Sequence, residues 1–298
     1  MKKEYILGII ILVFIFTSCA PEGKNKHLTY QNIIILSDMS SRIRNPRFPQ
    51  KDTKEIHAIV QYFKNECVKP GKKIGDKSSI SFSVFSEKTA AFIDMDRIKN
   101  LGDKQQFVNS TGKYIGCGLE EKLVEFEDTV KVLYERINNR GLDLISLLME
   151  KIENEPIIKQ NTFLTDGVDT TFISYENHIY VFTDGYLEYQ LASKALSNQF
   201  FFGQSEIEKV RKYCVENKVD ITTALEKEQS LCLEPSFSRS GENKLINLHI
   251  LETHERDKDL KSQTFRHPKG LRDNEILEAV WRKWAEDSEF KSFVWRKY

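Results

Sequence analysis

Asp38 and Ser40 stand two residues apart in Ser37-Asp38-Met39-Ser40-Ser41-Arg42, directly behind the apolar run Ile33-Ile34-Ile35-Leu36. A carboxylate and a hydroxyl at that spacing can share one hard cation, because Mg²⁺ takes oxygen ligands and keeps part of its water shell. The same residues also read as a polar turn in which Asp38 only caps a strand. A further carboxylate, Asp184, follows the apolar run Ile179-Tyr180-Val181-Phe182 in Thr183-Asp184-Gly185. Another Thr-Asp-Gly, at Thr165-Asp166-Gly167 with Asp169 behind it, offers a rival metal loop. Asp-Gly is a common turn pair, so a hairpin turn is the preferred reading there. Arg42, Arg44 and Arg47 crowd the stretch after the first run. Guanidinium groups suit a carboxylate or phosphate on a partner, and such a run also suits a solvated loop.

The elements that must position these groups follow from hydrophobic period. Four apolar residues in a row, three of them β-branched, suit a strand buried on both faces of a parallel sheet. Ligands of such sheets sit beyond the carboxyl ends of the strands, where Asp38, Ser40 and Asp184 fall. Residues 42–51 contain two prolines and are expected as a loop, with a helix over 57–67 on the spacing of Ile56, Ile59, Val60 and Phe63. Strict alternation over 80–85 predicts a half-buried strand that turns back over 89–95. Residues 98–118 show no clear period. Helices are expected over 120–138, 143–153 and 205–217, and strands over 179–182 and 245–251. Residues 274–298, with Trp281, Trp284 and Trp295, are expected as a closing helix whose indoles pack. Strands and helices in alternation predict an α/β fold: a three-layer sandwich with a mainly parallel central sheet and one antiparallel hairpin strand.

The first residues carry an address. Lys2 and Lys3 precede an almost wholly apolar stretch from Tyr5 to Phe16, and Phe16-Thr17-Ser18-Cys19 resembles the bacterial lipoprotein signal. The apolar stretch is shorter than the ~20 residues of a membrane span. The expected organisation is a signal peptide over 1–18, a tether over 19–29 lipidated at Cys19, and one domain over 30–298 with an insertion near 218–244. Such a protein is anchored in the cell envelope on the extracytoplasmic side, with the outer membrane as the expected membrane.

Acidic and basic side chains balance at 44 each in 298 residues. No bulk attraction to nucleic acid follows, and none is expected as a partner. Cys67, Cys117, Cys214 and Cys232 have no short CxxC spacing, so zinc and thioredoxin-like readings fail. Export permits disulfides in any of three pairings, and buried thiols stand equally. The six histidines include no HExxH, and no Walker loop, GxGxxG or GxSxG occurs.

The order of elements and four local signatures resemble the von Willebrand factor type A domain. Asp38-Met39-Ser40 looks like the first loop of that family's metal-ion-dependent adhesion site, and Phe82-Ser83-Val84-Phe85 with its turn looks like the second strand. Asn139-Arg140-Gly141-Leu142-Asp143 occupies the place of the second metal loop, and Tyr180-Val181-Phe182-Thr183-Asp184-Gly185 that of the fourth strand and third metal loop. The resemblance implies non-enzymatic protein recognition through Mg²⁺, with Mn²⁺ or Ca²⁺ as substitutes. It implies Asp38, Ser40 and Asp184 as ligands and Asp143 as a fourth, with Thr183 and Gly185 shaping the loop. Two positions depart from the pattern: Arg42 replaces the second serine, and Leu142 the usual threonine.

A guanidinium cannot ligate a cation, and its charge opposes one nearby. Three readings therefore stand: a metal site with fewer protein ligands, a site neutralised by Arg42 through Asp38 or Asp184, and a remnant. A metal-dependent phosphoester hydrolase is the enzyme alternative. A structural envelope lipoprotein working through residues 218–244 is the third class.

Overall fold

The computed structural model describes residues 25–72, 76–85, 87–136, 143–165, 169–188, 200–238, 240–259 and 261–298. Its strands are β1 (Asn25–Ser37), β2 (Ser79–Val84), β3 (Ala91–Asp94), β4 (Thr162–Thr165), β5 (Thr170–Thr183), β6 (Ile246–Glu252) and β7 (Ser292–Lys297). They form one seven-stranded sheet in the order β3-β2-β1-β5-β6-β7, with β4 paired to β5 off that line. The pairs β1–β2, β5–β6 and β6–β7 are parallel, whereas β2–β3 and β4–β5 are antiparallel. By internal contacts the chain forms two units, Met1–Thr29 with Gln160–Tyr175 and Tyr30–Lys159 with Glu176–Tyr298.

In the larger unit, both faces of the sheet are covered. Ile34 and Leu36 of β1, Ile179 and Val181 of β5 and Leu248 and Ile250 of β6 share one cluster with helices α4 (Leu144–Asn154), α5 (Gln204–Asn217), α6 (Ile221–Lys227) and α7 (Asp273–Asp287). Ile33 and Ile35, with Ile80, Phe82, Val84 and Phe182, face the other way onto α1 (Arg47–Tyr62), α2 (Leu101–Val108) and α3 (Leu119–Tyr134). The uninterrupted apolar run of β1 is thus explained by burial on two faces. Each fully buried Ile contributes roughly 1.5–3 kcal/mol. This is the expected α/β three-layer sandwich, and a second hairpin joins the expected one.

Between residues 42 and 51 the chain turns in a 3-10 helix (Ser41–Arg44) and α1 begins at Arg47, ten residues before the expected start. Pro46 caps that helix and Pro49 lies in its first turn, where no backbone N–H needs a helical partner. Prolines here start a helix rather than exclude one. Residues 274–298 are likewise not one helix. α7 ends at Asp287, Glu289 turns at φ 60, and the chain re-enters the sheet as β7, so Trp295 is a strand residue.

The segment around residues 218–244 is bound into the core, since Ala224, Leu225, Leu231 and Leu233 belong to the α7 side cluster. Among the described residues the four cysteines form no disulfide, with Cys67 and Cys214 buried and Cys117 exposed. In the smaller unit, Thr165 pairs with Thr170, the hairpin expected for the first Thr-Asp-Gly, whose residues 166–168 lie outside the described residues. Residues 1–24, including Cys19, and residues 137–142, including Leu142, also lie outside them.

Candidate functional site

The chain leaves β1 toward β2 on one side, while β5 leads to β6 on the other. Ligands of open α/β sheets bind at such a switch point, outside the strand ends. There Asp38 N donates to Phe182 O at 2.9 Å, fastening the loop after β1 to the end of β5. Met39 and Ile43 are buried in the α1 side cluster and pull the loop inward. Asp38, Ser40 and Arg42 are buried with them.

Asp38 folds back on its own loop. Its Oδ1 accepts from Ser40 N at 2.9 Å, and its Oδ2 accepts from Ser40 Oγ at 3.0 Å and Thr183 Oγ1 at 3.4 Å. Burial raises its pKa, the Arg42 charge opposes that rise, and the neighbouring Asp184 charge adds to it. Asp38, Ser40, Thr183 and Asp184 are therefore brought together as the sequence suggests. Thr183 Oγ1 in turn accepts from Gly185 N at 3.1 Å, shaping the loop. Gly185 has φ +85, and a Cβ there would lie 2.5 Å from the Trp295 ring. Glycine is required on both counts.

Arg42 is the centre of a buried network. Its Nε donates to Asp38 O at 2.8 Å, its Nη1 to Thr253 Oγ1 at 3.0 Å, and its Nη2 to Asp52 Oδ2 at 2.8 Å and Phe182 O at 3.1 Å. The ion pair is with Asp52, whereas the Asp38 carboxylate lies 3.8 Å from Nε. Tyr134 and Tyr298 also donate to Asp52, at 2.9 and 2.7 Å. Burial disfavours the guanidinium charge, but Asp52 and Asp38 outweigh it and keep Arg42 protonated. With its side chain sealed from solvent, Arg42 presents no surface to a partner, unlike the exposed Arg44 and Arg47.

Asp184 has a different cation. Its Oδ2 accepts from Arg256 Nε at 2.8 Å and its Oδ1 from Tyr186 N at 3.3 Å. Arg256 also reaches Glu188 and lies over the Tyr186 ring, 3.9 Å from its centroid. Asp143 caps α4, where its oxygens accept from Ser146 N at 3.0 Å and Ser146 Oγ at 2.8 Å. That is the ordinary work of an aspartate before a helix.

One carboxylate beside this loop is strained electrostatically. Glu252 ends β6 in register with Thr183, and its Oε2 accepts from Trp295 Nε1 at 2.8 Å. Its Oε1 is buried without a hydrogen-bond partner, and burial pushes its pKa up to about 7.

Asp52, Thr253, Arg256 and Glu252 are the residues sequence reasoning misses. Only Asp52 leaves a signal: it precedes Ile56, Val60 and Phe63 at helical spacing, a charge on an apolar face. No family model matches the chain, and no curated protein matches it.

Proposed function

We propose that the chain is a lipid-anchored, extracytoplasmic protein-recognition module similar to von Willebrand factor type A domains, held in the cell envelope through Cys19. Its recognition surface is the carboxyl edge of the sheet around Asp38 and Asp184. The charge of that edge is balanced by the chain's own arginines. The observation that carries this reading is the buried Arg42, bonded to Asp52 and to the backbone carbonyl groups of Asp38 and Phe182. An acidic group on the partner then meets the exposed Arg44 and Arg47 beside the same loop.

A second reading, Mg²⁺ at this edge, rests on the meeting of the Asp38, Ser40 and Thr183 side-chain oxygens at the strand ends. In that reading Asp38 and Ser40 would hold the ion beside Asp184, and Asp143 stays with its helix. A bound Mg²⁺ would supply positive charge for a partner carboxylate.

Calorimetric titration of the full chain with Mg²⁺ and with Mn²⁺, beside Asp38→Ala, decides between them. The arginine-balanced site gives no saturable heat in either protein. Saturable binding that Asp38→Ala abolishes transfers the site to the second reading.

A further inference from the structure

The described part of the smaller unit is mostly strand: the first residues of β1, the β4 hairpin arm and the start of β5. Phe163 is 66 %, Leu164 59 % and Phe172 38 % exposed. Phe163 and Phe172 are large exposed side chains on one hairpin, and an exposed apolar patch marks contact with a partner or a membrane. Phe163 and Phe172 are register partners, so they share one face of the ribbon. The His27 ring stacks on Phe172, with centroids 4.9 Å apart and planes at 12°. His27, Phe172 and Phe163 thus form a row across three strands. Leu164 stands on the opposite face, opposite Thr171. Among the described residues of this unit no helix covers either face.

The chain before β1 says what covers it. Cys19 precedes Asn25, the first residue of β1, by six residues, and an extended chain of that length reaches on the order of 20 Å. His27 ties that entry point to the hairpin. Lys24 and Lys26 lie on the same stretch and complement anionic head groups. We infer that the hairpin seats Phe163 and Phe172 in the head-group region of the bilayer that holds the lipid on Cys19. The inference rests on the anchor reading proposed above. The lipid on Cys19 would hold this end of the chain at the bilayer, and the hairpin adds an apolar contact beside it.

The test uses the full chain carrying Phe163→Trp, expressed in a bacterial host and reconstituted in phosphatidylethanolamine–phosphatidylglycerol vesicles. Half of the vesicles carry lipids brominated near the head group, and mass spectrometry reads whether Cys19 has gained lipid. Circular dichroism against the parent chain confirms that the variant is folded. Loss of the added indole emission in brominated vesicles is the expected result. Lipidated protein whose added emission is unchanged overturns the seating and leaves the anchor intact. Should no lipid be found on Cys19, loss of emission still supports the hairpin contact, and unchanged emission overturns both. Unchanged emission with a concentration-dependent dimer in sedimentation overturns the inference and gives the patch to a second copy of the chain.

Discussion

Arg42 and Asp52 form an ion pair at 2.8 Å in which neither side chain reaches solvent. It joins the loop after β1 to α1, ten residues further on, and the other Arg42 bonds run to the ends of β1 and β5 and to Thr253 after β6. A cation is thereby built into the switch point of the sheet.

Breaking that pair from one side is expected to be costly. Asp52→Ala leaves the guanidinium buried without its counter-charge, a loss of about 3–5 kcal/mol. Arg42→Met strands the carboxylate in the same way. The double variant Arg42→Met/Asp52→Leu regains much of the loss, though Tyr134 and Tyr298 hydroxyls lose their acceptor. Urea unfolding of the four proteins measures the coupling. Strictly additive losses would refute it.

Glu252 makes stability depend on pH. Its pKa is about 7 in the folded chain, above the ordinary glutamate value, so folding favours the protonated form. The contribution is fully present below the unfolded value and is lost as pH rises through 7. Across that window the loss is about 3 kcal/mol. Glu252→Gln is expected to be flatter than the parent between pH 5 and 8 and more stable at pH 8. Denaturant midpoints at both pH values check this.

Gly185→Ala tests the packing of the loop that carries Asp184. The new Cβ meets the Trp295 ring at 2.5 Å in a left-handed backbone. A loss of about 2 kcal/mol or more is expected. Trp295→Leu in the same background removes the clash but not the backbone strain, and it deprives Glu252 of its donor. Partial recovery of the thermal midpoint is therefore the predicted result, and full recovery would show that the backbone is unstrained.

His178 and His249 predict the acid limb. Nδ1 of His178 lies 3.0 Å from Nε2 of His249, so the two rings share one proton. Burial and the His178 charge hold His249 down to about 4. A histidine so depressed stabilises the fold above its unfolded value and loses that contribution as pH falls toward 4. His249→Gln should shift the acid midpoint downward, read by circular dichroism. An unchanged midpoint would place the acid transition elsewhere.

The sheet and the meeting of Asp38, Ser40 and Asp184 are legible because strand patterns dictate both. Apolar runs end where the polar residues begin, and parallel strands bring those ends together. Arg42 is legible as a resident charge, but its partner is not. Asp52 lies in a stretch whose prolines suggest a loop, and a carboxylate on a helix face is seen as buried only once the helix is seen. Arg256 and Thr253 lie past the end of β6 in a stretch with no periodic pattern, so only the tertiary fold shows where they go. Trp295 continues the spacing of the preceding helix, while the break at Glu289 depends on a positive φ that sequence does not announce.

The sheet also separates the two buried thiols. Cys67 belongs to the α1 side layer and Cys214 to the α5 side layer, with β-structure between them. No oxidant can join them while the strands stay paired, even in a compartment that favours disulfides. Each sulfur instead keeps time for its own layer: the rate at which an alkylating reagent reaches it measures how often that side of the sandwich opens.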